Sequence, residues 1–204
     1  MIDNTPNKFP LSIDILSPRH HLYRRLRGRL CHVTSVHELG GILQKGSILP
    51  NLDGSLGLNG LKGPTDYYAC QKLHSISLLD LKNSEEAELF GHLPFQNWAG
   101  MFIHHRPTIV LVFNEDFDDS EARMLTFDEM QRIGGRHILE AEACYPKPIP
   151  IAFIDSAIVL TRRLRIALES KDLHGVHSYC CRNRHRFQNR KNYFEDFLER
   201  KRRT

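Results

Sequence analysis

No apolar run in this chain approaches the roughly 20 residues that a membrane-crossing helix needs. That excludes a helical span. The opening stretch "MIDNTPNKFPLSIDILSP" lacks the charged start, apolar stretch and small-residue cleavage site of a secretory signal. Cysteine is scarce, at five in 204 residues. An odd, sparse set argues against a disulfide framework. These absences together predict a reduced, cytoplasmic protein. Internal repeats are also lacking, so the chain reads as one core, or one core plus a tail.

What is present is ordinary globular composition, 41% hydrophobic and 25% charged. The formal charge is +4 and the pI about 8.8, and the excess is uneven. Basic residues gather in "PRHHLYRRLRGR" (Pro18 to Arg29), in "RNRHRFQNRKN" and in "ERKRRT", while the middle is mixed or acidic. Basic ends on a balanced domain point to a polyanion partner, or else to solvated helix faces.

Local patterns predict the elements. "HHLYRRLRGR" reads as a short basic helix stopped by Gly28, and "RLCHVTS" as a strand. Ser35 with Glu38 has capping-box spacing, Val36, Leu39, Ile42 and Leu43 form a helical stripe, and Gly46 is placed to end the helix. Asn51 to Asp66 reads as a loop. "HSISLLDL" and "TIVLVF" read as strands, the latter apolar on both faces and so central. "SEEAELFGHL" reads as a short helix. "DDSEARMLTFDEMQRIGGRH" reads as an acidic connection with one helical turn. Strands are predicted at Ile138 to Cys144 and in "AFIDSAIVL". "TRRLRIALESKDLHGVHS" reads as helix up to Gly175, and Asn192 to Lys201 as a last helix. The expectation is an α+β fold with a split or two-sheet β core and few short helices. Its parts are a basic arm at 1–28, a domain at 29–165 and a basic helical extension at 166–204.

Three strand patterns carry candidate chemistry. His32 and Thr34 alternate onto one face, supplying donors and acceptors that suit a ribose or an amide. Ser75 and Ser77 share a strand face that leaves room for a flat ligand. Glu140 and Glu142 share a face with Ile138 and Cys144, leaving Leu139, Ala141 and Ala143 on the other. Paired carboxylates can perform acid–base work or stabilise a developing oxocarbenium ion. Taken singly, each pattern also fits a satisfied core histidine or a polar strand face.

In this order the patterns resemble a known family. "HVTSVHELGGILQKGSILPN" and "AEACYPKPIPIAFI" are similar to the opening and closing motifs of an ADP-ribosyltransferase fold. The likeness is to the DarT-like toxins and phage-defence enzymes that modify nucleic acid, and it covers about Arg29 to Leu160. The resemblance implies NAD⁺ as substrate, with His32 on its ribose, Thr34 near the nicotinamide half, and Ser75 and Ser77 lining the cleft. It implies Glu142 as catalytic acid, Glu140 at the acceptor, and Met124 to His137, with Arg132 and Arg136, as the loop that meets the target. DNA-modifying members carry an arginine between the first helix and the second strand. Here that region offers Lys62 and Lys72 and the aromatic pair Tyr67 and Tyr68, which could stack on nicotinamide or a base.

The tail interleaves Arg182, Arg184, Arg186, Arg190 and Lys191 with Phe187, Tyr193 and Phe194, a mixture suited to phosphate contacts and base stacking. His174, His177, Cys180, Cys181 and His185 lie close in sequence but lack a C-x₂-C pair, so no metal site is assigned. The expected function is NAD⁺-dependent ADP-ribosylation of nucleic acid, RNA before single-stranded DNA, by a toxin held by an antitoxin or chaperone partner. The alternatives are a protein-modifying transferase and a non-catalytic nucleic-acid-binding protein.

Overall fold

In the computed structural model, residues 18–50, 69–82, 107–134, 141–161 and 164–188 are described. At their centre is β4 (Thr108–Phe113), "TIVLVF", buried at every position. Its β-branched and aromatic side chains suit a pleated surface, and burial on both faces requires neighbours on both sides. β1 (Leu30–Ser35) and β8 (Ile154–Leu160) supply them, each pairing antiparallel with β4. Outward from β1 lie β3 (Ile76–Asp80), β6 (Glu142–Tyr145) and the short edge strand β5 (Arg123–Met124); outward from β8 lies β9 (Ile166–Ser170). The result is one seven-stranded antiparallel sheet in the order β5-β6-β3-β1-β4-β8-β9. A separate two-stranded ribbon joins β2 (Ser47–Ile48) to β7 (Ile149–Pro150).

Alternation divides the core between the two faces. On one face Cys31, Val33, Val110, Val112, Ile158 and Leu160 pack under Leu22, Tyr23 and Leu26 of α1 (Pro18–Leu26). On the other, Leu30, Ile109, Leu111, Ala157 and Val159 meet Leu39 and Ile42 of α2 (Val36–Lys45) and Leu173, Val176 and Cys180 of α5 (Leu173–Arg182). Of the three basic segments, the one in α1 and the one that starts at Arg182, at the end of α5, therefore belong to helices on opposite faces of the sheet. Ion pairing between Arg25 and Glu169 ties α1 to β9. α1 contributes Leu22, Tyr23 and Leu26 to the core, and β9 pairs with β8 at the edge of the sheet.

Many local expectations match. Ser35 caps α2, its side chain accepting from the Glu38 amide while Glu38 reaches back to the Ser35 amide, and Gly46 ends the helix with φ 71°. Gly28, at φ 74°, follows α1. The acidic connection holds α4 (Phe127–Ile133), capped by Thr126 and Glu129.

Others differ. Where a split or two-sheet core was expected, the described residues form one seven-stranded sheet and a two-stranded ribbon. Residues 166–170, expected to be helical, form β9, because Ile166, Leu168 and Ser170 alternate along the open edge of β8. The helix starts only after Asp172, whose carboxylate accepts from the Gly175 amide at 2.9 Å. Gly175 is thus the third residue of α5 rather than its end. The predicted strand at 138–144 is Glu142–Tyr145, with residues 138–140 outside the described part. Expected elements at 84–93 and 192–201, and the loop at 51–66, also lie outside it. Among the described residues no helix is long and apolar enough to cross a membrane.

The sheet is not uniformly closed. β1 pairs with β4 from Cys31 to Ser35, but with β3 only at Leu30 and Cys31. β3 itself stays paired with β6 from Ile76 to Leu79. The ladder between β1 and β3 therefore opens beyond Cys31, and this opening positions the candidate site.

Candidate functional site

At the β1–β3 opening, the ring of His32 takes over from the ladder. Its Nδ1 lies 2.9 Å from the carbonyl oxygen of Ser77. A carbonyl only accepts, so Nδ1 carries the proton. Burial holds the imidazole below its usual pKa, against the opposing pull of the Ser77 bond and the Glu38 carboxylate. A neutral ring protonated at Nδ1 leaves Nε2 as an acceptor, able to take a hydroxyl proton.

Ser77 makes the second link with its side chain. Its hydroxyl donates to Oε1 of Glu142 at 2.5 Å. The register explains the meeting: Ser77 pairs with Cys144 and Leu79 with Glu142, so all four residues share one face of adjacent strands. Glu142 is only 3% exposed. A buried carboxyl group must have hydrogen-bond partners to be tolerated, and Ser77 is one of them. His32, Ser77 and Glu142, from three strands, are thereby joined through one serine.

A third strand-side neighbour was not expected. Cys70, in α3 (Ala69–Lys72), is disulfide-bonded to Cys144 across a sequence separation of 74, and its Sγ lies 3.5 Å from Oε1 of Glu142. The expectation of fully reduced cysteines is corrected here. Sparse cysteines do not form a framework, yet two of them meet because α3 packs on β6. Cys31, Cys180 and Cys181 remain free.

Other expected residues fall elsewhere. Thr34 is fully buried and donates to Oε2 of Glu38 at 3.1 Å, so its hydroxyl serves the start of α2 rather than the opening. By alternation His32 and Thr34 lie on the sheet face opposite Glu142; His32 reaches Ser77 only because the ladder is open there. Ser75 precedes β3, and its hydroxyl donates to the Leu73 carbonyl at 3.0 Å. The ammonium of Lys72 holds the carbonyls of Ile133 and Gly134 at 2.9 and 3.0 Å, clamping α3 to the end of α4. Glu140, Tyr67, Tyr68, Lys62, Arg136, Arg190 and Lys191 lie outside the described residues.

Of the expected nucleic-acid contacts, Arg132 is exposed on α4, beside α3. Arg182 on α5, and Arg184 and Arg186 on α6 (Arg184–Gln188), are also exposed, but α5 packs on the face away from Glu142. Cys180 is buried in that core and burial pushes its thiol up to about 12, whereas Cys181 is exposed with its Sγ 3.8 Å from Nε2 of His177. Adjacent residues on a helix point in different directions, which separates the two thiols. Among the described residues no group of three or more His, Cys, Asp and Glu is placed to hold a metal ion.

Sequence reasoning missed Cys70 and the second role of Glu38. Thr34 stands immediately before the Ser35–Glu38 capping box, and that position is the signal that could have revealed the latter. Nothing local could have paired Cys70 with Cys144. Compared with protein-family models, with curated proteins and with solved structures, the chain matches none.

Proposed function

We propose that this chain is an NAD⁺-dependent ADP-ribosyltransferase acting on nucleic acid, RNA before single-stranded DNA. The observation that carries the reading is the link from His32 through Ser77 to Glu142 at the place where β3 leaves β1. The Nε2 acceptor of His32 suits a ribose hydroxyl. The Glu142 carboxyl group, out of bulk water, suits stabilisation of positive charge growing on a ribose carbon as its bond to nicotinamide lengthens. Ser77 holds that group in one orientation, so little reorganisation is needed during the reaction.

These residues fit part of an NAD⁺ molecule. Thr34 and Ser75, with their hydroxyls already engaged, are set aside as contacts, and NAD⁺ must displace what covers Glu142. RNA is favoured over DNA because Lys72, one of the lysines standing where DNA-modifying relatives of the resembled group carry arginine, is committed to backbone carbonyls. Arg132 would meet the acceptor, with Arg136 beyond it in sequence. A toxin of this kind would work in the cytoplasm under an antitoxin.

The test is incubation with labelled NAD⁺ and, separately, RNA, single-stranded DNA and a cell lysate, with Glu142→Gln alongside. Label on RNA that vanishes in the variant is expected. Label only on protein moves the substrate class. No label and no NAD⁺ binding overturns the enzyme reading. It would leave a non-catalytic nucleic-acid-binding chain, a second reading favoured by the exposed Arg182, Arg184 and Arg186.

A further inference from the structure

We propose that Cys70 and Cys144 form a thiol–disulfide switch that governs access to Glu142, closed when oxidised and open when reduced. The inference rests on Glu142 being the working acid of the site, and it adds a regulator to it.

The geometry concentrates three things at one point. Cys144 lies two residues after Glu142 on the same face of β6 and is the ladder partner of Ser77. Cys70, bonded to it, brings α3 onto that face with sulfur 3.5 Å from the Glu142 oxygen that Ser77 also holds. Glu142, Cys70 and Cys144 are 3%, 1% and 4% exposed, so α3 forms part of the cover over the acid. No substrate reaches Glu142 while that cover stays down.

Among the described residues few other ties fasten α3. It has four residues, far below the roughly 12–15 at which a helix holds itself together in water. Among those residues the ties are the Lys72 bonds to α4 and a small apolar cluster of Ala69, Cys70, Leu125 and Cys144, with Leu73 and Ile133 packed against it. Two of that cluster's four buried members are the bonded cysteines themselves. Cutting the bond therefore removes the covalent member of a short set of restraints.

The redox step balances with an external dithiol. One thiolate of the dithiol attacks a sulfur of the pair, giving a mixed disulfide; its second thiolate displaces the protein sulfur. Cys70 and Cys144 leave as two thiols, and the dithiol leaves as its own disulfide. In the bonded state the Cys70 sulfur sits 3.5 Å from Glu142 Oε1 and 3.9 Å from the Ala143 carbonyl, contacts that loosen once the bond is cut. The other thiols do not compete. Cys31 and Cys180 are buried in the two main core clusters, and Cys181 is exposed on the helix packed against the opposite face.

The experiment compares full-length protein equilibrated with oxidised glutathione against protein equilibrated with dithiothreitol. Thiol titration after denaturation should find three free thiols in the first and five in the second. Hydrogen exchange of the Leu73 and Ser75 amides, which bond to the carbonyls of Ala69 and Cys70, should quicken on reduction. Carbodiimide coupling should modify Glu142 only in the reduced form. ADP-ribose transfer should rise about tenfold, within the range usual for coupling between a switch and a site. Cys70→Ser/Cys144→Ser should behave as permanently reduced, and Cys181→Ser should keep the response. Five thiols after oxidation, or equal Glu142 labelling in both states, overturns the switch even if the double variant does not fold. Redox-dependent labelling without transfer in either state leaves the switch standing and removes the transferase reading. Equal transfer in both states with equal labelling does the reverse.

Discussion

The Ser77 hydroxyl lies 2.5 Å from Oε1 of Glu142, diagonally across the β3–β6 ladder. Around that contact two other elements converge. From β1, His32 reaches the carbonyl of the same serine; from α3, Cys70 reaches the same carboxyl oxygen. Changing Ser77 therefore perturbs the acid without touching its strand. Ser77→Ala should destabilise the fold by about 1–3 kcal/mol, the range for removing one partner of a buried polar group. Urea unfolding would measure it. The His32 contact, being to backbone, should survive, visible as an unchanged histidine tautomer by NMR.

Glu142→Gln keeps an acceptor for Ser77 and removes the acid. Transfer from NAD⁺ should fall roughly a hundredfold or more, in line with the loss of one preorganised electrostatic contact. The thermal midpoint should move little. A large loss of stability with retained transfer would assign Glu142 to folding alone.

Burial depresses the pKa of His32 in the folded protein, so between the usual value of 6.5 and that lower value the unfolded chain binds the proton and the folded one does not. The contribution of this group is thus fully present above pH 6.5 and is lost as pH falls below it. Stability measured from pH 7.5 to 5 should drop on the acid side, and His32→Gln should flatten that part of the profile. The depressed carboxyl groups, Asp118, Glu129 and Asp155, act at lower pH and leave the comparison clean.

The glycine pair in α2 separates two physical roles. A Cβ on Gly41 would meet nothing within 4 Å, whereas one on Gly40 would sit 3.0 Å from Nε2 of His177 in α5. Gly41→Ala should stabilise by up to about 1 kcal/mol through helix propensity. Gly40→Ala should gain less or destabilise, because the His177 ring must give way to the new methyl group. Thermal melts of the two variants side by side would show the difference.

Thr34 offers a check on what the tertiary structure changed. With its hydroxyl on Glu38 and no exposure, Thr34→Val should cost about 0.5–1.5 kcal/mol and leave NAD⁺ affinity unaltered. Calorimetric titration with NAD⁺ would expose any direct contact.

Local pattern alone determined much of the secondary structure. The capping box of Ser35 and Glu38, the stop at Gly46 and the doubly apolar run of β4 depend on near neighbours and on period, and these are legible in one dimension. The same reasoning failed at β9, where Ile166 to Ser170 became a strand only because the edge of β8 was open to pair with it. At Thr34 and Ser75 alternation identifies a face but not what meets it: their hydroxyls donate to Glu38 and to the Leu73 carbonyl. The chain pattern singled out His32, Ser77 and Glu142, but it could not join them. Their meeting depends on the β3–β6 register and on the opening between β1 and β3. The Cys70–Cys144 bond belongs wholly to the tertiary level: its residues are 74 apart, and only the packing of α3 on β6 brings their sulfurs together beside the carboxyl group.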